Sequence, residues 1–383
     1  MRILCISHSS PLKEGGAETR TREVAFRLAA QGHEVTVLCG KTHFEDPEIS
    51  DVNGVKFVCK KTLPDFLLKR YPYPHYVSLA AANLFLMFYL PAFFKNEKYD
   101  LIREDICPFP PSFLLSLLRL RSRRVAITHM LPGTLRNWIK FYGPSFGPAG
   151  FLMNRLLRAG ALKYDRIISD SKWFAEELRQ YPAITNKVVF VPNGVNLLDF
   201  KPFAGRAING EIRLLSVGRL VETKGHRYLL EALSRLVKDY PGIKLDVLGN
   251  GQLREQLILL ANDLGLSTHV RFRPPVSHEE MPRLYNDYDF FVMPSLWEGL
   301  PVSLIEAMAS KLPIVASDIP AITDVVDSTS ATLFPEENAQ GLAEKIRWAI
   351  EHPVNVAEFA QRAYEMAQRY DWDVTARQEI EQE

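Results

Sequence analysis

The chain has 383 residues, which is too long for one ordinary hydrophobic core and predicts two domains. Its composition, 47% hydrophobic and 24% charged, is that of a globular protein. The net charge is +1, but residues 1–193 carry 27 Lys and Arg against 17 Asp and Glu, whereas residues 194–383 carry 19 against 28. The basic first half predicts an anionic partner. Nucleic acid is not favoured, because the sequence lacks a basic and aromatic stripe and zinc-ligand spacing.

The four cysteines, Cys5, Cys39, Cys59 and Cys107, are scattered and lie mostly in apolar runs. This distribution predicts buried, reduced thiols in a cytoplasmic protein and no metal cluster. The first residues, MRILCISHSS, are interpreted as a strand because their apolar run is too short and too interrupted for a signal peptide.

The first elements predict a doubly wound α/β domain. A strand over residues 2–7 is followed by a loop with Gly15 and Gly16, a helix over about 18–31 and a strand over 34–39. Paired glycines let the backbone approach a ligand closely, although a plain turn between strand and helix is the alternative. The pattern is not G-x-G-x-x-G, so it gives little support to nicotinamide binding.

Two stretches of the first half suggest contact with a membrane or a lipid. Residues 71–94 contain no Lys, Arg, Asp or Glu and are long enough to span a bilayer, but three prolines interrupt them. A buried or interfacial helix is therefore favoured. Residues 119–124, RLRSRR, form a basic cluster that is either a solvated helix end or a phospholipid contact.

The end of the first domain holds one candidate ligand residue. His129 follows a strand over 124–128, and ligands of open α/β sheets bind beyond the carboxyl ends of strands. A histidine that caps a turn is the alternative. Residues 146–168 have apolar and basic side chains at helical spacing. A further helix is expected after Ser171 or Asp170 as its cap.

The second domain begins after a linker near residues 193–210. A strand over 212–217 leads into the loop GRLVETKGH and a helix that starts at about residue 226. Arg219 and Lys224 lie in this loop. Two cations beside a helix N-terminus are good ligands for a diphosphate, although surface cations in a loop are the alternative.

Residues 289–317, DFFVMPSLWEGLPVSLIEAMASKLPIVAS, predict a strand, a loop, a helix and a strand. Pro301 suits the first helical turn. The helix start favours an anion, and Glu298 and Glu306, with seven residues between them, can accept hydrogen bonds from hydroxyls on either side of it. A phosphate flanked by two diols describes a nucleotide sugar. The alternative is a solvated loop residue and a surface helix residue.

The string WEGLPVSLIEAMASKLPIVAS resembles the glutamate–seven–glutamate signature of retaining glycosyltransferases of family 4, and the resemblance extends over nearly the whole chain. It implies the GT-B fold, an α/β fold of two Rossmann-like doubly wound parallel-sheet domains that face each other across a cleft. The expected domains are 1–195 for the acceptor and 196–355 for the donor. A C-terminal helix over about 356–383 is expected to cross back to the first domain.

The resemblance also implies roles for individual residues. Segment GGAE places Gly15 and Gly16 over the donor phosphates, and THMLPG places His129 at the sugar, although Met130 stands where the family frequently has aspartate. Loop RPPVSHEEM places the backbone of Val276 at the nucleobase. The expected catalytic residues are His129, Arg219, Lys224 and Glu298. The expected donor-binding residues are Gly15, Gly16, Arg219, Lys224, Val276, Glu298, Gly299, Leu300, Pro301 and Glu306.

The resemblance implies a retaining transfer of a hexose-type sugar from a UDP-, GDP- or ADP-sugar to a glycan or lipid-linked acceptor. Because two cations carry the leaving charge, no metal and no separate cofactor are expected. The D-x-D patterns at 287–289 and 371–373 are interpreted as structural. The alternatives are a sugar-nucleotide epimerase or phosphorylase of the same fold, and a non-catalytic sugar-nucleotide-binding subunit. The expected location is the cytoplasm, with peripheral attachment to an anionic membrane left open, and no nucleic acid partner.

Overall fold

The computed structural model describes residues 1–7, 11–12, 16–41, 48–61, 98–106, 122–128, 162, 164–202, 210–277 and 279–381. The chain divides into two compact units. The first unit is Met1–Asn193 together with Trp372–Glu383, and the second is Gly194–Asp371. Several sequence predictions lie outside the described residues: Gly15, Cys107, His129, the uncharged stretch 71–94, residues 119–121 of the basic cluster and most of the stretch 146–168.

The described strands are β1 (Arg2–Ser7), β2 (Glu34–Lys41), β3 (Ile49–Val52), β4 (Val55–Lys61), β5 (Leu101–Ile106), β6 (Arg123–Thr128), β7 (Arg166–Ser169), β8 (Val188–Phe190), β9 (Ile212–Val217), β10 (Ile243–Leu248), β11 (Val270–Arg273), β12 (Phe290–Met293), β13 (Ile314–Ser317) and β14 (Thr332–Phe334).

The described α-helices are α1 (Gly16–Ala30), α2 (Lys172–Arg179), α3 (His226–Leu236), α4 (Arg254–Asp263), α5 (Met281–Tyr285), α6 (Val302–Ala309), α7 (Pro320–Thr323), α8 (Ala339–Glu351), α9 (Pro353–Ala367) and α10 (Trp372–Ile380). Ser171 is the N-cap of α2, and its side chain accepts a hydrogen bond from the backbone of Phe174, as one of the two sequence alternatives predicted.

The sheet of the first unit has the order β3-β4-β2-β1-β5-β6-β7-β8 among the described strands. All its pairs are parallel except β3 with β4. Strand β3 was not predicted. It forms a hairpin with β4 through Asn53 and Gly54, whose φ angles of 51° and 77° are those of a tight primed turn.

Strand β7 corrects one prediction. Residues 166–168 end a stretch whose spacing predicts a helix, but Arg166–Ser169 is a strand that pairs with β6 and β8. Both Ile167 and Ile168 are buried. A short apolar run fits a buried strand as well as a helix, so spacing alone does not distinguish the two.

The C-terminal helix returns to the first unit, as the GT-B fold requires. Buried Glu379 on α10 accepts hydrogen bonds from Arg20 at 2.8 Å and from Arg103 at 2.6 Å, and both guanidinium groups are also buried. The returning segment begins at Trp372, later than the expected residue 356. The reason is that Ala363 and Ala367 of α9 are buried in a core of the second unit.

The second unit contains a parallel sheet with the strand order β11-β10-β9-β12-β13-β14. One face is covered by α3, α4 and α8, and the other by α5, α6, α7 and α9, and each face has its own hydrophobic core. The order reverses between β9 and β12, which is the topological switch point of a doubly wound sheet. Ligands of such sheets bind beyond the carboxyl ends of the strands at that point.

Candidate functional site

The loops that follow the carboxyl ends of β9, β11 and β12 carry most of the predicted site residues of the second unit. The strands are parallel, so these loops emerge at one edge of the sheet. Arg219 and Lys224 follow β9, Val276 follows β11, and Glu298 follows β12. The fold therefore gathers at one edge four residues that the sequence spreads over 80 positions.

The loop after β9 is bound closely to the loop after β12. Thr223 lies in a short 3₁₀ turn, and its carbonyl accepts hydrogen bonds from the backbone of Leu296 at 2.8 Å and of Trp297 at 3.3 Å. Gly225 ends this turn with a φ of +63°, and a Cβ at this position would stand 1.9 Å from the carbonyl oxygen of Pro294. Only glycine fits here, because the backbone is left-handed and the neighbouring loop is in contact.

The contact between the loops brings Lys224 and Glu298 together. Nζ of Lys224 donates to Oε1 of Glu298 at 2.5 Å, and the side chains are 18% and 7% exposed. The hydroxyl of Ser295 donates to the same oxygen at 2.7 Å. Glu298 is thus a buried carboxylate held by a cation and a hydroxyl, which excludes the alternative of a solvated loop residue. Ser295 was missed by the sequence reasoning, although it lies only three residues before Glu298.

Arg219 occupies the same loop but differs from Lys224 in its surroundings. Its side chain is exposed, and no hydrogen bond or ion pair links it to another residue in the described part of the chain. The loop therefore holds one cation that is paired with a carboxylate and a second that faces solvent.

Glu306 lies on α6 and is buried, with 5% exposure, which excludes the alternative of a surface helix residue. Helix α6 starts at Val302, and Pro301 is its N-cap, one residue before the predicted first turn. The hydroxyl of Tyr285 on α5 lies 2.8 Å from Oε2 of Glu306. The hydroxyl of Ser303 donates to the carbonyl of Val217 at 3.4 Å, which places the start of α6 beside the end of β9.

The other predicted donor-binding residues have less distinctive surroundings. Val276 and Leu300 are partly buried against the same core as α6. A Cβ at Gly299 would meet no atom of the described residues within 4 Å. Gly16 is the first residue of α1 in the first unit.

His226, which the sequence reasoning used only to mark the start of α3, is a buried titratable group beside the site. It is 4% exposed, and burial, assisted by the Lys224 ammonium, lowers its pKa to about 4. The imidazole is therefore neutral near pH 7, and the positive charge of this loop comes from Arg219 and Lys224.

A separate cavity of about 740 Å³ lies at the amino edge of the same sheet. Its central charge is Asp246, which accepts hydrogen bonds from Arg271 and Tyr288, each at 2.5 Å, and from Arg273 at 3.4 Å. None of the predicted site residues lines this cavity. The carboxyl edge, where the predicted residues lie, therefore remains the candidate site.

Two doubly wound, mainly parallel sheets, with a C-terminal helix that returns to the first unit, define the GT-B fold. Two family models match the chain: Glycosyltransferase Family 4 over residues 14–198 and Glycosyl transferases group 1 over residues 199–369. The chain belongs to glycosyltransferase family 4 and is a glycosyltransferase.

Individual proteins resemble the chain over nearly its whole length. The D-inositol 3-phosphate glycosyltransferase of Streptomyces bingchenggensis is 28% identical over 98% of this chain and 87% of its own. Sucrose-phosphate synthase from Thermosynechococcus elongatus has a TM-score of 0.82 at 21% identity, over 98% of this chain and 96% of its own. HepE of Anabaena in complex with UDP has a TM-score of 0.72 at 18% identity, over 99% and 98%. At these identities the two structures support the fold alone.

Two other features are absent from the described ranges. None of the helices found there has the length and apolar character needed to cross a membrane. Likewise, no group of three or more His, Cys, Asp or Glu side chains suited to a metal ion occurs among the same residues.

Proposed function

We propose that the chain is a retaining glycosyltransferase that transfers a hexose-type sugar from a nucleoside-diphosphate sugar to a glycan or lipid-linked acceptor. The second unit binds the donor and the first unit binds the acceptor. The observation that carries this proposal is the paired Lys224 and Glu298 beside exposed Arg219, at the carboxyl edge of a sheet where α/β folds bind ligands.

The two cations have a direct use in this reaction. Cleavage of the bond between the sugar and the diphosphate leaves negative charge on the diphosphate, and Arg219 and Lys224 stabilise that charge as it develops. Lys224 exchanges part of its contact with Glu298 for the phosphate oxygens. With two cations in this role, the proposed reaction uses no metal and no separate cofactor.

The carboxylates are proposed to bind hydroxyls. Glu298 orients the donor sugar and Glu306 binds the ribose, while the backbone at Gly16, Gly299 and Leu300 contacts the phosphates and the sugar. His129 contacts the sugar near the reacting carbon. Support for a nucleotide-sugar donor comes from the complexes of HepE with UDP and with UDP-glucose.

Retention is proposed to proceed on one face of the sugar. Glu298 contacts one of the two proposed cations, but it is held by Lys224 and Ser295, which lowers its value as a covalent nucleophile. A front-face reaction, in which the leaving diphosphate accepts the proton of the acceptor hydroxyl, fits this arrangement better than a double displacement.

The experiment is a transfer assay with UDP-, GDP- and ADP-hexoses against a panel of acceptors that includes D-inositol 3-phosphate, a lipid-linked sugar and free hexoses. The anomeric configuration of the product is determined by NMR. Transfer with retention is the expected result, and Lys224→Ala should reduce kcat strongly while the exposed control Lys238→Ala retains it.

Three outcomes would contradict the proposal. Free epimerised nucleotide sugar or phosphorolysis would indicate one of the other activities of this fold. Tight nucleotide binding without transfer to any acceptor would indicate a binding subunit. Unchanged turnover in Lys224→Ala would refute the role of this cation.

The chain is also proposed to act in the cytoplasm at an anionic membrane surface. The support is the excess of Lys and Arg in residues 1–193, together with the uncharged stretch 71–94. Sedimentation with vesicles of anionic and of zwitterionic lipid at low salt tests this proposal. Binding to anionic vesicles alone is expected, and binding to neither refutes it.

A further inference from the structure

Tyr285 is a buried residue whose hydroxyl contacts helix α6. Its side chain packs beside Phe200 and Phe291, with ring centroids 6.0 and 5.9 Å away. The hydroxyl lies 2.8 Å from Oε2 of Glu306 and 3.1 Å from the carbonyl oxygen of Ser303. Tyr285 is fully buried, so it reaches a ligand only through the residues that it holds.

The chemistry of the phenol sets the direction of this contact. Burial, with a further contribution from Glu306, raises the pKa of Tyr285 well above 10. The hydroxyl therefore keeps its proton and donates it. It has one proton for two acceptors, and a carboxylate is a stronger acceptor than a backbone carbonyl. The hydroxyl of Tyr285 thus fixes the position of one oxygen of the Glu306 carboxylate.

We propose that Tyr285 is a positioning residue that orients the carboxylate of Glu306 for the two ribose hydroxyls of a nucleoside diphosphate. The inference rests on the proposed function, in which Glu306 binds the ribose. The last torsion of a glutamate side chain is soft, so loss of the tyrosine hydrogen bond loosens the plane of the Glu306 carboxylate. Recognition of a diol requires a fixed carboxylate plane. Tyr285 consequently sets the preference of the site for a ribonucleotide over a nucleotide that lacks these hydroxyls.

Tyr288 provides a matched control. It is 5% exposed, lies in the same hydrophobic core and is only three residues from Tyr285. Its hydroxyl contacts Asp246 and not Glu306. Tyr288→Phe therefore removes a buried phenolic hydroxyl without touching the proposed ribose contact.

The test is calorimetric binding of UDP, GDP and ADP, and of their 2′,3′-dideoxy counterparts, to the full chain. The measured quantity is the ratio of the Kd of a dideoxynucleotide to the Kd of its ribonucleotide. Both constants are measured on one protein preparation, so a loss of folded protein cancels in the ratio. Tyr285→Phe should raise the Kd of the ribonucleotide about 3- to 10-fold, the value of one hydrogen bond, and leave the Kd of the dideoxynucleotide within about 1.5-fold.

Two further results make the test specific. Tyr288→Phe should leave the ratio unchanged, and in a Glu306→Ala background Tyr285→Phe should have no further effect on it. An equal loss for both nucleotides, an equal effect of Tyr288→Phe, or an undiminished effect in Glu306→Ala overturns this inference alone. A wild-type chain that binds none of the ribonucleotides overturns the proposed function and this inference with it.

Discussion

Gly225 is the position at which one added methyl group should separate the two loops of the candidate site. A Cβ there would stand 1.9 Å from the carbonyl oxygen of Pro294, and the φ of +63° is unfavourable for any residue with a side chain. Because contacts of a Cβ below 3.0 Å essentially never occur, Gly225→Ala must move the backbone of one loop by more than about 1 Å. That displacement breaks the contact between Lys224 and Glu298.

The magnitude can be estimated from two terms. The left-handed conformation costs alanine roughly 1–2 kcal/mol, and overpacking against a backbone atom adds about 1–3 kcal/mol. Gly225→Ala should therefore lower the free energy of unfolding by about 2–5 kcal/mol. Gly265 is the matched control, because its φ is +72° but a Cβ would meet no atom within 4 Å. Gly265→Ala should lower the same quantity by only about 1–2 kcal/mol.

Urea unfolding measures both variants, and calorimetry measures their affinity for the nucleotide that the wild type binds. Gly225→Ala should lose stability and affinity together, whereas Gly265→Ala should lose some stability and keep its affinity. Two results would refute the proposal that the close contact between the loops holds the nucleotide site in place. One is an equal loss of stability in the two variants, and the other is a Gly225→Ala variant that binds the nucleotide as tightly as the wild type.

Three other substitutions give further predictions. Gly299→Ala should change the free energy of unfolding by less than about 0.5 kcal/mol, because a Cβ there meets no described atom within 4 Å. The same variant should weaken binding of the nucleotide sugar in a titration. Unchanged affinity would refute a contact between Gly299 and the donor. Burial raises the pKa of Glu379, but Arg103 and Arg20 together outweigh burial, and the net pKa is lowered. The ionised carboxylate therefore stabilises the folded state fully above about pH 4.5, and this stabilisation is lost as the pH falls through the folded-state pKa. Glu379→Gln should cost about 3–5 kcal/mol in urea unfolding at pH 7 and flatten the loss on acidification, and a parallel pH profile would contradict this. The pKa of His226 is lowered from 6.5 to about 4, so the free energy of unfolding should fall by roughly 3 kcal/mol as the pH falls from 6.5 to 4. His226→Gln should remove this pH dependence of the free energy of unfolding. An unchanged dependence would exclude His226 as its source.

The sequence predicted the parts of the fold that depend on local patterns. Buried parallel strands are short apolar runs between turn residues, and both doubly wound sheets were recognisable in this way. Lys224 and Glu298 could each be selected as a candidate ligand residue because each lies in a loop just before a helix. Their direct contact could not be predicted, because it depends on the packing of two loops 74 residues apart.

The features that were missed depend on distant contacts or on ambiguous local signals. Arg20 and Glu379 are 359 residues apart, and nothing in either local sequence identifies the other as a partner. Tyr285 precedes Glu306 by 21 residues and belongs to a short apolar helix that reads as core. Strand β3 had a local signal in the Asn-Gly pair at residues 53–54, which favours a hairpin.

The most direct test of the account is a thermal-shift panel of UDP, GDP, ADP and their hexose conjugates, with and without a chelator. A ligand that binds the folded state raises the melting temperature by mass action. We expect a shift with one nucleotide that persists in chelator and is lost in Lys224→Ala and in Glu306→Ala. A shift that disappears in chelator, or one that both variants retain, would contradict nucleotide binding by these residues.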